Sequence, residues 1–153
     1  MILGRFTPDR KEVLNALRDA LRKRDYLPLL FDFDRPTDRD FTETIMTLAG
    51  MSAFVIADIT NPKSSPLELH ATVPNYRIPF VPILQDGEQP FSMFRDLTDF
   101  HWVLPLLRYD SCRNLLATLD KAVVAPALEK RRELALSKAH AMLTRHVRDY
   151  PAR

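Results

Sequence analysis

Few residues in this 153-residue chain combine the right type with a setting that could do chemistry. Asp58 is the first. It closes the apolar run Ala53-Phe54-Val55-Ile56-Ala57 and opens Asp58-Ile59-Thr60-Asn61-Pro62. An aspartate with proline four residues on is the pattern around a phosphoacceptor carboxylate. That chemistry also needs an acidic pair after the first strand to hold Mg²⁺, and a lysine after the fifth. Here the first strand ends in Gly4-Arg5-Phe6, and Leu106-Leu107-Arg108-Tyr109 supplies no lysine, so phosphoacceptor chemistry is excluded. Glu68 is the second acid, within Ser65-Pro66-Leu67-Glu68. That tetrad is a capping box with proline in the first helical turn, a structural use for both Ser65 and Glu68. Cys112 is alone, which excludes an intrachain disulfide and a cysteine zinc knuckle, and it reads as a buried apolar filler. His70, His101, His140 and His146 lack the His-Glu-x-x-His spacing of a zinc protease. Only Gly4, Gly50 and Gly87 are glycines, so neither a dinucleotide fingerprint nor a Walker loop can be assembled. Any nucleotide bound here is held by other means.

The elements that must position these residues alternate along the chain. Residues 1–6 form an apolar strand. Thr7 is a candidate cap, Pro8 suits the first helical position, and Asp9 favours the positive end of the helix dipole. The spacing predicts a helix to about Arg24, with Val13, Leu14, Leu17 and Leu21 as its apolar face and Arg10, Lys11, Arg18 and Arg22 as a solvated one. A second strand over residues 26–31 ends in Asp32-Phe33-Asp34-Arg35-Pro36. The helix after it starts near Thr37, uses Phe41, Ile45 and Leu48 as its core stripe, and closes on Gly50 as a left-handed cap. Residues 53–57 are a strand covered on both faces. A short helix from Ser65 is ended by Pro74, a fourth strand covers residues 80–84, and a helix over 91–97 leads to a fifth strand over 101–107. The remainder is helical from Ser111, with a break or kink at Pro126.

This grammar predicts a three-layer α/β domain: a five-stranded parallel sheet in flavodoxin-like order, helices on both faces, and a C-terminal helical extension. In such sheets ligands bind outside the carboxyl ends of the strands, where strand order reverses between the first and third. That crevice selects Arg5, Phe6 and Thr7, then Asp32 to Arg35 including Asp34, then Asp58, Thr60 and the loop through Ser65 to Glu68.

Val55-Ile56-Ala57-Asp58-Ile59-Thr60-Asn61-Pro62, followed by Glu68-Leu69, resembles the third-strand segment of Toll/interleukin-receptor-like (TIR-like) nucleotide-binding domains. Nucleoside deoxyribosyltransferase-like proteins share the theme of an apolar strand, an aspartate, a polar loop and a helix-borne glutamate. The resemblance implies a domain that binds NAD or a related nucleotide and hydrolyses the nicotinamide–ribose bond, in bacterial-type signalling or defence, with Glu68 as the catalytic residue. No bound cofactor is implied; NAD enters as substrate. Cleavage develops oxocarbenium character on the sugar, which a nearby carboxylate stabilises. Arg5 would then neutralise a phosphate, Phe6 or Phe33 would stack on a base, and Asp58 would hold a ribose hydroxyl or fix its loop. Where many TIR domains carry Trp-Cys before the glutamate, this chain has Pro66-Leu67. Two alternatives stand beside this reading: a catalytically silent TIR-like self-assembly module, and a deoxyribosyltransferase-like enzyme with Glu68 as nucleophile.

Composition fits a single soluble domain, at 46% hydrophobic and 27% charged. A chain of this length buries roughly two-thirds of its unfolded surface without needing staples. The charge is unevenly placed. The segment after residue 126 carries seven Lys and Arg (130, 131, 132, 138, 145, 148 and 153) against three acids (129, 133 and 149), while the whole chain has a net charge of only +2. The expected division is therefore a TIR-like α/β domain over 1–125 and a basic helical extension over 126–153, with Leu128, Ala135, Met142 and Val147 on the apolar face. Self-association through TIR-like surfaces or this helix is expected, and nucleic acid is not the expected partner. No apolar run approaches a membrane span and no signal-peptide core follows Met1, so a cytoplasmic protein is expected.

Overall fold

The computed structural model describes residues 1–32, 39–60, 69, 73–75, 77–92 and 94–141. Five parallel strands form one sheet: β1 (Ile2–Gly4), β2 (Leu30–Asp32), β3 (Val55–Asp58), β4 (Phe80–Gln85) and β5 (Leu107–Tyr109), in the order β2-β1-β3-β4-β5. That is the flavodoxin-like order, and the reversal of direction falls between β1 and β3. The register aligns Ile2 with Ile56 and Leu3 with Ala57. Asp58 lies beside Ile83, and Gln85 beside Tyr109.

Side chains alternate across the sheet. Ile2, Ile56, Val81 and Ile83 enter a core shared with α1 (Pro8–Arg22) and α4 (Cys112–Leu119). Leu3, Val55, Ala57, Phe80 and Leu84 enter a second core with α2 (Arg39–Met51) and α3 (Phe94–Thr98). Leu69 and Val73 belong to that second core, and the Val73 amide donates to the Leu69 carbonyl at 2.8 Å. The cores on the two faces are the physical content of the three-layer reading.

Several boundaries differ from the sequence expectation, each for a local reason. Thr7 takes the cap position of α1 in extended backbone, but its side chain makes no capping bond. The helix stops at Arg22 because Asp25 adopts a left-handed φ of 61°, letting the Tyr26 amide fold back on the Leu21 carbonyl at 3.2 Å. Gly50 does not cap α2. The helix runs through it to Met51, and Ser52 closes the end through its amide on Ala49 and its hydroxyl on Leu48. Among the described glycines only Gly87, in the turn after β4, has a positive φ, at 87°. The fifth strand is displaced. The Phe80 amide donates to the Trp102 carbonyl and the Leu104 amide to the Phe80 carbonyl, but Pro105, lacking an N–H, interrupts the ladder and β5 resumes at Leu107.

Pro126 does not break the C-terminal helix either. A π-helical turn over Asp120–Val124 separates α4 from α5 (Ala125–Ala141). Its wider register lets the Ala125 amide donate to the Asp120 carbonyl and receives the proline ring just beyond it. On α5 the seated residues are Ala127, buried, and Leu128 and Leu134, half-buried; Ala135 is exposed, so the apolar face is rotated from the expected one. Met142 and Val147 lie outside the described residues. Among those described, no helix is long and apolar enough to cross a membrane.

Candidate functional site

The alternation that fills the two cores also builds the polar cluster at the carboxyl end of the sheet. Ile56 and Ile83 face α1, so Asp58 and Gln85, two residues further along each strand, face α1 as well. Tyr109 arrives on the same face from β5. Opposite them, Arg10 stands in the first turn of α1, in register with Val13, Leu14, Leu17 and Leu21.

Gly4 sets the distance. A Cβ at this position would lie 2.7 and 2.9 Å from the two methyls of Leu14 and 3.4 Å from the Asp58 Cβ. Without a side chain there, α1 packs directly on the end of β1 and brings its first turn over Asp58.

Arg10 is therefore not a solvated residue. It is 7% exposed and Asp58 3%, so their charges meet out of water. The Arg10 Nε donates to Asp58 Oδ2 at 2.9 Å and Nη2 to the same oxygen at 2.5 Å. Nη1 donates to Gln85 Oε1 at 2.5 Å, and Nη2 also bonds the Tyr109 hydroxyl. Asp58 Oδ1 accepts the Thr60 amide at 3.1 Å, while the Thr60 hydroxyl accepts the Gln85 amide at 3.0 Å. The cluster ties the exits of β3, β4 and β5 to the start of α1.

Burial alone would lower the Arg10 pKa, but the Asp58 charge and the bonds to Tyr109 and Asp58 outweigh it and hold the guanidinium protonated. Burial and the Asp58 charge push the Tyr109 phenol above 10.0, against a smaller opposite pull from Arg10 and Thr60. Tyr109 is thus a neutral donor or acceptor at physiological pH. Cys112, half-buried at the start of α4, has its thiol pushed up by burial, which suits packing rather than attack.

The sequence-selected residues divide clearly. Arg5, Phe6 and Thr7 follow β1 at the crevice and are half-buried. Asp58 and Thr60 are buried there too, but in this arrangement their polar atoms serve Arg10 and Gln85. Asp34, Ser65 and Glu68 lie outside the described residues, as does Phe33. Arg10, Gln85 and Tyr109 were missed. The signal for Arg10 was its spacing, three and four residues ahead of Val13 and Leu14 on the core stripe. Among the described residues no group of three or more His, Cys, Asp and Glu is placed to hold a metal ion.

No family model matches the chain, and no curated protein matches it. Solved structures do resemble it in fold. A CMP N-glycosidase of Clostridium botulinum superposes with a TM-score of 0.56 at 14% identity, covering 78% of this chain and 98% of its own. A flavodoxin-like domain from a Synechococcus sp. protein superposes with a TM-score of 0.54 at 10% identity, covering 92% and 97%.

Proposed function

We propose that this chain cleaves the N-glycosidic bond of a nucleotide in the crevice at the carboxyl ends of β1 and β3. The observation that carries the reading is the placement of the buried Arg10–Asp58 cluster at the point where strand order reverses, with the segment containing Glu68 following β3 in the sequence. The fold shared with a CMP N-glycosidase supports this reaction class. In this reading Arg5 and the amides opening α1 receive the phosphate. Phe6 stacks on the base or sugar, Glu68 stabilises the oxocarbenium-like sugar, and water takes the place of the departing base at C1′. Thr7 and, by their sequence positions after β2 and β3, Asp34 and Ser65 are further nucleotide-contacting residues in this reading. Asp58 and Thr60 act from beneath, fixing the exit of β3. The TIR-like version takes NAD as substrate; the version nearer the solved N-glycosidase takes a nucleoside monophosphate.

The test is release of free base from CMP, dCMP and NAD by concentrated protein, with Glu68→Gln in parallel. Wild-type release that falls by about 10²-fold or more in the variant is expected for a carboxylate acting at the reacting sugar. No release from any of the three substrates removes the reaction, and an unchanged variant removes Glu68 from it. One observation favours the silent self-assembly alternative: Leu27 and Met51, 85% and 78% exposed, flank an apolar groove of about 290 Å³ beside Tyr26 and Phe54. Concentration-dependent association abolished by Leu27→Glu, together with no base release, selects that alternative.

A further inference from the structure

A second polar site lies at the opposite end of the sheet. The chain entering β4, the turn before Trp102 and the C-terminal half of α5 border an open cavity of about 430 Å³. Arg77, Arg131 and Lys138 line it, with His101 and Ser137 as further donors and, among the described residues, no carboxylate. Arg131 and Lys138 are seven residues apart on one face of α5, and Leu134 between them is seated on the second core. Among the described residues, no acid pairs with any of the three cations. Of the two acids on α5, Glu129 and Glu133, neither lines the cavity, and Glu133 is held by Lys130 at 2.5 Å. The exposed Arg77 guanidinium lies 5.9 Å from the Trp102 ring centroid, and the indole Nε1 holds that ring in place by donating to the Val73 carbonyl at 2.9 Å.

Three cations around one concavity, with no acid paired to them among the described residues, repel one another, and an anion placed among them relieves that repulsion and gains charge-assisted hydrogen bonds. The volume is in the range of small-ligand sites. The other α5 cations do not extend the patch, since Lys130 is paired and Arg132 lies outside the cavity. This confinement favours a compact ligand over an extended polyanion. We infer that this cavity binds a small ligand carrying a phosphomonoester or pyrophosphate group. The length of β4 separates it from the Arg10–Asp58 cluster, about 20 Å at ~3.3 Å per residue, so the two sites hold different molecules.

Calorimetric titration of the 153-residue chain with inorganic pyrophosphate at low salt tests the inference, with emission from Trp102, the single tryptophan, as a second readout. Saturable one-to-one binding with a change in Trp102 emission is expected. The double variant Arg131→Gln/Lys138→Gln should bind at least about tenfold more weakly, because two charge-assisted contacts are lost. The charge-matched control Arg95→Gln/Arg132→Gln alters exposed residues outside the cavity and should stay within twofold of wild type. Absence of binding at millimolar pyrophosphate overturns the inference. So does equal weakening in both doubles, which would mean diffuse charge. A single-stranded oligonucleotide that binds more tightly than pyrophosphate, and is equally indifferent to both doubles, would assign the basic face to nucleic acid instead.

Discussion

Arg10→Met isolates the cluster at the carboxyl end of the sheet, because it keeps an unbranched apolar stem and deletes only the guanidinium. Asp58, 3% exposed, then loses both Arg10 bonds, leaving the Thr60 amide at 3.1 Å as its donor among the described residues. Removing one partner of a buried ion pair costs about 3–5 kcal/mol, most of it the penalty of an uncompensated charge. A domain of this kind is stable by roughly 5–15 kcal/mol in total, so the loss is a large share of it. At roughly 2–4 °C per kcal/mol for a chain of this size, Tm falls by about 6–20 °C. Asp58→Asn should cost less. Arg10 retains Gln85 and Tyr109 as acceptors, and the amide oxygen can still take the Thr60 N–H. The double variant Arg10→Met/Asp58→Asn buries no charge and should recover about 2 kcal/mol relative to the sum of the singles. Urea unfolding followed by Trp102 emission measures this cycle globally, since Trp102 belongs to the core on the other face of the sheet. A loss below about 1 kcal/mol for Arg10→Met, or additivity within about 0.5 kcal/mol, refutes the reasoning: the pair would then be hydrated and independent.

Gly4→Ala should destabilise by about 1–3 kcal/mol through overpacking, because the new methyl meets fully buried Leu14 at 2.7 Å; an unchanged Tm would show that α1 does not need the close approach. Stability of the 153-residue chain should rise between pH 6 and 8. The Met1 amine donates to the Phe54 carbonyl at 2.9 Å, and burial pulls its pKa from 8.0 down to about 6. The unfolded chain thus binds the extra proton in that window. The penalty, about 2.7 kcal/mol, is felt in full below pH 6 and vanishes above pH 8. Urea midpoints from pH 5.5 to 8.5 should show this slope in the free chain and lose it after N-terminal acetylation; equal slopes would refute the assignment.

The architecture was readable because the strands are buried on both faces and announce themselves as apolar runs. Residues 53–57 and 80–84 need no partner to be recognised. The boundaries were less so, because they depend on single backbone groups. Pro105 splits the fifth strand only because Phe80 has already paired with the residues before it, and Gly50 is helical because Ser52 supplies the end bonds. The site failed differently. Asp58 was found from its place at a strand exit, whereas its partner was discounted on residue type. Arg10 sits on the core stripe, and a charge on a core stripe is itself a signal that a buried counter-charge faces it. Gln85 and Tyr109 had no local signature; only the register of β3, β4 and β5 brings them to one place.

The two ends of the sheet differ in how their charge is treated, and the difference bears on what each can do. At the carboxyl end Arg10 and Asp58 are spent on one another. A buried pair of this kind adds little net stability over apolar residues of similar size, so its value lies in geometry. It fixes the Thr60 amide, and through the Thr60 hydroxyl the exit of β4, at the root of the segment that carries Glu68. A ligand in that crevice would meet a neutral floor with its direction set, and chemistry there must come from the segments after β1 and β3. At the amino end Arg77, Arg131 and Lys138 have been brought together with no acid among the described residues to balance them. Fixed geometry without free charge suits positioning; free charge in a concavity suits capture of an anion. The same fold therefore separates, by the length of one strand, a place built to orient from a place built to attract.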